Sequence, residues 1–203
     1  MAPLYSGDAT ARALYELVLL LWLASESWHG LGVIARTVRA RQAPPSRRQD
    51  RLSGPALIAG IVVAIVLGIR AAVFVLQAAM TGFRPAIFVA GMVVAVAGIA
   101  LRAYAIARLG RFFNTRVTVS PGQTVIDTGP YRLIRHPSYT GMLLTVFGIL
   151  LGSTNWLALA CFLLVIPGTA YRIAVEEKAL ADGLGQSYRD YMRRTKRLIP
   201  YLL

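Results

Sequence analysis

The sequence predicts an all-α integral membrane protein, a bundle of about five transmembrane helices with a small cytoplasmic loop or hairpin and a C-terminal amphipathic helix. Three observations lead there. Of the 203 residues, 56% are hydrophobic and only 15% charged, with a mean hydropathy of +0.57, a balance foreign to an ordinary soluble domain. The apolar residues fall in long blocks that so small a core could not bury, so lipid must cover them. The arginines, finally, cluster in alternate connections, as they do when positive charge is retained on the cytoplasmic side.

Taking about 20 apolar residues as one bilayer crossing, the spans read as 14–35, 55–79, 85–109, 139–151 and 156–174. The first carries Glu16, Glu26 and His29. Glu26 and His29, three apart, share a helix face with Trp22; they read either as an interhelical hydrogen-bonded pair or as the lining of a pocket. In the second, Arg70 is placed to snorkel toward the outer headgroups. Gly91 and Ala95 in the third are small residues four apart, the mark of a close helix contact. The fourth holds about 13 apolar residues, roughly 20 Å of helix, against a hydrocarbon core of about 30 Å. Either it starts inside its loop or the bilayer thins there. Pro167-Gly168 should kink or break the fifth. Two regions result: 1–109, three spans with a basic loop at 36–54, and 110–203, a cytoplasmic loop, two spans and a terminal helix.

Lysine and arginine total 22. Arg36, Arg39, Arg41, Arg47, Arg48 and Arg51 occupy the first connection; Arg102, Arg108, Arg111, Arg116, Arg132 and Arg135 lie in or border the third; the tail from Arg172 holds seven more. The connection 152–155, Gly-Ser-Thr-Asn, has none. An N-terminus outside and a C-terminus in the cytoplasm fit every loop. The net charge of +13 follows from this topology and from attraction to anionic headgroups; no recognition fold accompanies it, so nucleic acid is not an expected partner. No cleavable signal is expected, since Glu16 interrupts the apolar start. Cys161 is the single cysteine, which removes disulfide and cysteine-metal chemistry, and no metal site is expected.

The polar stretch ahead of the fourth span has its own logic. Val117 to Val119 and Thr124 to Ile126 flank Ser-Pro-Gly-Gln, which reads as a hairpin or an extended lid. A second turn follows at Asp127-Thr128-Gly129-Pro130. Pro137 suits the first position of a helix, with His136 at or near the cap. Free amides and the positive end of the helix dipole would then face the cytoplasm and bind an anionic group, helped by the Ser138 and Tyr139 hydroxyls and by Arg132 and Arg135. The same loop also reads as a plug resting on lipid phosphates. In the tail, Arg172 and Glu176 stand four apart on one helix face at the membrane boundary. Tyr188, Tyr191 and Arg194 follow at three-residue steps, an amphipathic surface suited to the bilayer interface.

The series G-P-Y-R-x-x-R-H-P-S-Y-x-G at 129–141, then R-x-x-x-E-E-x-x-L from Arg172, then G-x-x-Y-x-x-Y from Gly185, resembles the isoprenylcysteine carboxyl methyltransferase family of integral membrane enzymes over roughly 113–200. The resemblance implies a bundle of membrane helices binding S-adenosylmethionine at the cytoplasmic surface. No G-x-G-x-x-G motif points to a Rossmann domain instead. It implies cofactor contacts from Gln123, Thr124, Val125, Ile126, Tyr131, His136, Pro137, Ser138, Tyr139 and Glu176. Arg172 would face the acceptor, and Arg172 and Glu176 together would form the catalytic pair, making 110–203 the cofactor-binding core. A lipophilic or prenylated acceptor would arrive sideways from the bilayer. Methylation of an amine or a thiol stays open, an amine favouring a carboxylate such as Glu177 near the sulfur, as does a membrane protein without enzymatic activity.

Overall fold

The computed structural model describes residues 2–39, 52–114, 117, 119 and 122–200. Among the described residues eight α-helices run in chain order: α1 (Leu4–Gly7), α2 (Ala9–Arg39), α3 (Ser53–Phe74), α4 (Arg84–Leu109), α5 (Pro137–Gly152), α6 (Trp156–Ala160), α7 (Val165–Leu184) and α8 (Gln186–Arg194). No strand ladder occurs among the described residues. The chain is a multi-pass integral membrane protein whose α3, α4 and joined α6–α7 are long and apolar enough to cross a bilayer. α5, with 16 residues, spans only about 24 Å, in line with its expected shortness. α2 has 31 residues, length enough to cross, and carries Glu16, Glu26 and His29. Among the described residues three helices qualify by length and composition, and the long α2 and the shorter apolar α5 lie at the other two of the about five expected spans. The basic segment at 40–51 lies outside the described residues.

Sequence explains the core contact. Gly91 and Gly98 of α4 face Gly141, Gly148 and Gly152 of α5 so closely that a Cβ on Gly148 would sit 2.4 Å from the Ala95 amide nitrogen. Backbone meets backbone, as the small-residue spacing of Gly91 and Ala95 implied. Pro137 opens α5, with His136 as its N-cap residue at φ −124° and ψ 53°. In the last span, α-helical geometry tightens to a 3₁₀ turn over Cys161–Leu164. Pro167 has no N–H to offer the Leu163 carbonyl, so the disturbance falls in the turn before the proline. At the opposite end of the bundle from the His136 turn, the Asn155 side chain caps α6 by accepting from the Ala158 N–H at 3.0 Å and donates to the Val75 carbonyl at 3.0 Å.

Two expectations need correction. Residues 115, 116, 118, 120 and 121 of the segment expected to be a hairpin or an extended lid lie outside the described residues, and among the described ones 123–127 belong to no helix or strand. The bridge nearest this loop joins Ile134 to Lys196 in parallel. Nor does α8 offer its aromatic face to lipid. Tyr188 and Tyr191 are buried in the protein, and the Tyr191 hydroxyl donates to the Tyr131 carbonyl at 2.7 Å. Periodicity reveals that a face is apolar, and here protein covers it.

Candidate active site

A cavity of about 500 Å³ opens where the loop, the first turn of α5, α7 and α8 meet the middle of α2, the first turns of α3 and the last turns of α4. Its wall includes Gln123, Thr124, Val125, Ile126, Tyr131, His136, Ser138, Tyr139, Arg172 and Glu176. Of the residues that the family resemblance assigns to cofactor or acceptor, only Pro137 is not part of that wall; it is buried at the first position of α5.

At the centre is the Tyr139 hydroxyl, which donates to Glu176 Oε2 at 2.7 Å and accepts from Arg172 Nε at 3.1 Å. Arg172 Nη1 donates to Ser53 Oγ at 2.9 Å, where α3 begins. The pair four residues apart on α7 is therefore joined through a third side chain from α5. Arg172 is 5% exposed, so it is no weak surface ion pair; charges held in such a water-poor wall act on a ligand with little screening.

Glu177, beside Glu176 but about 100° further round the helix, has another task. Its carboxylate accepts from Arg135 Nε at 2.8 Å, from Arg197 Nε at 3.0 Å and Nη2 at 2.8 Å, and lies 3.3 Å from His136 Nε2. Arg135 also donates to the carbonyls of Met192 (3.0 Å) and Thr195. The charge expected to attract an anion is thus committed to the tail. The Arg135 and His136 amides donate to the Lys196 and Arg197 carbonyls at 2.7 and 3.0 Å, while the Tyr139 and Thr140 amides both turn back to the His136 carbonyl at 3.0 Å. Few amides remain for an anion at this helix start. Arg132 is exposed and outside the cavity wall.

Two further groups suit a polar ligand. Tyr131 is 5% exposed, and its hydroxyl has no hydrogen-bond partner. Burial first, and the nearby Glu176 carboxylate second, push its pKa above the ordinary phenol range, so it stays a donor. Thr124, Val125 and Ile126 make no backbone hydrogen bond to another described residue, which leaves a row of donors and acceptors along one wall. Arg194, donating to Asp127 Oδ2 at 2.7 Å, anchors the end of that row.

The spacing argument missed Arg102. It donates to Glu26 through Nε (2.5 Å) and Nη2 (2.9 Å), and both line the cavity. Glu26 does bridge helices, but its partner is Arg102 and not His29. His29 lies 3.5 Å from Ser25 Oγ and edge-on to Phe113, also in the cavity wall. The available signal was Arg102, two turns inside the end of the span 85–109, where a charge calls for a buried carboxylate.

The isoprenylcysteine carboxyl methyltransferase (ICMT) family model matches residues 89–182. A probable protein-S-isoprenylcysteine O-methyltransferase of Oryza sativa subsp. japonica is 30% identical over 115 residues, 55% of this chain and 60% of the rice protein. Protein-S-isoprenylcysteine O-methyltransferase B of Arabidopsis thaliana is 29% identical over 115 residues, 55% of this chain and 58% of its own. The matched part thus spans about 60% of the length of these relatives. Among solved structures, the eukaryotic intramembrane Ras methyltransferase ICMT superposes with a TM-score of 0.58 at 22% identity, covering 93% of this chain and 68% of that one. This likeness extends to the fold of the N-terminal helices, which the family model leaves out. By family match over 89–182, by its relatives and by fold, this multi-pass membrane protein is similar to the ICMT family.

Proposed function

We propose that the protein is an S-adenosylmethionine-dependent membrane methyltransferase that O-methylates a carboxylate on an isoprenoid-linked or other lipophilic acceptor, from an active site on the cytoplasmic side with the N-terminus outside. The observation that carries this reading is the Tyr139 hydroxyl joining Arg172 to Glu176 in the cavity wall. The residues fit the cofactor: the volume lies within the usual range for small-molecule sites, about 300 to 1,000 Å³. Glu176 offers a carboxylate to a cationic ligand, Tyr131 an unused buried donor, and 124–126 unpaired backbone groups to a flat heterocycle. When bound, this cofactor supplies a methyl group on a positively charged sulfur, whose transfer to a carboxylate oxygen requires no proton to be removed.

The chain's own work is then to position. Arg172 binds the acceptor carboxylate through its guanidinium fork and fixes its direction; Tyr139 and Ser53 hold Arg172 still. Orientation of this kind supplies up to about 7 to 11 kcal/mol of a barrier. Glu177, the carboxylate an amine acceptor would use as a base, is engaged by Arg135, His136 and Arg197, which favours the carboxylate reading. Between α2 and α3 the cavity wall includes Leu23, Ile58 and Val62, all exposed. That apolar lip faces the bilayer and suits a lipid-borne acceptor arriving sideways, while the polar loop side suits a water-soluble cofactor.

Purified protein in detergent, titrated with S-adenosylhomocysteine and then given labelled cofactor with prenylcysteine and lipid extracts, tests this. Saturable binding and a label released by mild base support an ester product. A base-stable label would move the acceptor to nitrogen or sulfur, and no binding at all would end the enzymatic reading.

A further inference from the structure

We propose that Glu26 of α2 is a positioning residue for the methyl-donor pocket, acting through Arg102 on Ser138 in the first turn of α5; this rests on the methyltransferase reading above. Glu26 takes two of the Arg102 nitrogens, Nε at 2.5 Å and Nη2 at 2.9 Å. The third, Nη1, donates to Ser138 Oγ at 2.9 Å and to the Ser138 carbonyl at 3.2 Å. One planar guanidinium therefore links a carboxylate of the first long helix to both the side chain and the backbone of the turn after His136-Pro137. With all three nitrogens engaged, the fork has one orientation. Without Glu26 only the Nη1 contacts to Ser138 remain to orient it, and a charge left in a half-buried site seeks water or another partner.

The location makes this more than packing. Glu26 and Arg102 both line the cavity, with side chains 32% and 14% exposed. α2 lies wholly outside the matched residues 89–182, so the unmatched half of the chain supplies the group that fixes a turn in the matched half. Trp22 and His29, on the same face of α2, line the cavity beside Glu26. The first helix is thereby a wall of the donor site as well as a lip of the acceptor channel.

The test titrates S-adenosylhomocysteine into wild type, Glu26→Gln and the swapped double variant Glu26→Arg with Arg102→Glu, recording thermal midpoints alongside. Glu26→Gln keeps the side chain's size, and its Kd should rise at least about fivefold. The swapped variant should recover its midpoint, because opposite charges meet again, but not its affinity, because a carboxylate at position 102 has no N–H for the Ser138 carbonyl. A smaller change in Glu26→Gln, or affinity returning together with the midpoint, overturns the proposal and leaves the methyltransferase reading standing. If the swapped chain does not fold, the Glu26→Gln Kd decides alone. No binding by wild type overturns both.

Discussion

Tyr139→Phe removes one oxygen and leaves the ring that packs against His136, at a centroid distance of 5.7 Å, in place. The lost hydroxyl donates to Glu176 at 2.7 Å and accepts from Arg172 at 3.1 Å. Each of these is a hydrogen bond to a charged group, worth about 1.5 to 3 kcal/mol. The two losses do not add, because Arg172 keeps Ser53 and Glu176 stays close enough to find the cofactor. One such bond's worth is the expected net effect, about 10- to 150-fold in kcat/KM. The loss should fall mainly on kcat, since the substitution frees the orientation of Arg172 without removing its charge. Initial rates at several concentrations of cofactor and of acceptor, in detergent or proteoliposomes, separate the two parameters. A Tyr139→Phe enzyme with wild-type kcat/KM would show that Arg172 and Glu176 work independently of each other, and the central link of the proposed site would be wrong.

Arg172→Ala should leave S-adenosylhomocysteine affinity within a few-fold of wild type while turnover collapses; equal losses in both would assign Arg172 to the cofactor instead. Glu177→Ala leaves Arg135 buried, with an 8% exposed side chain, and should destabilise the protein by about 3 to 5 kcal/mol, read as a lowered thermal midpoint, with the His136 turn and the tail exchanging amide hydrogens faster. Gly148→Ala places a methyl 2.4 Å from the Ala95 nitrogen and 2.5 Å from the Gly91 carbonyl oxygen, so α4 and α5 must separate, at about 1 to 3 kcal/mol or more. Gly82→Ala, with nothing within 4 Å of its added Cβ, is the control and should leave the midpoint unchanged.

Whatever depended on local rules was legible in the sequence. Pro137 at the first turn of α5, the disturbance near Pro167 and the shared face of Arg172 and Glu176 follow from backbone sterics and the 3.6-residue period. The small-residue contact at Gly91 and Ala95 does too. What needed long-range pairing was not. Glu26 meets Arg102 across 76 positions and Ser53 meets Arg172 across 119, and no periodicity encodes such partners. Glu176 and Glu177 look alike in a row of letters, yet the turn of the helix sends one to the cavity and the other to Arg135, His136 and Arg197. Tyr188 and Tyr191 were visible as a stripe, but whether lipid or protein covers a stripe depends on where α8 docks.

The division of labour in the wall follows from the same contacts. The groups proposed to hold the cofactor, Glu176, Tyr131 and the loop 124–126, come from segments within or next to one another in the second half of the chain, where the family match lies. Two guanidiniums in the wall are each steadied from α2 or α3: Arg172, proposed to grip the acceptor, by Ser53 at the start of α3, and Arg102, which holds the Ser138 turn, by Glu26 on α2. A sequence free to vary in α2 and α3 can therefore reshape the acceptor channel, but it cannot discard these two polar contacts without loosening both arginines. Variation among relatives in the N-terminal helices should accordingly alter which lipophile is accepted while a carboxylate near the middle of α2 and a hydroxyl at the start of α3 persist. A relative that binds the same cofactor with an apolar residue at each of those places would refute this coupling between the two halves.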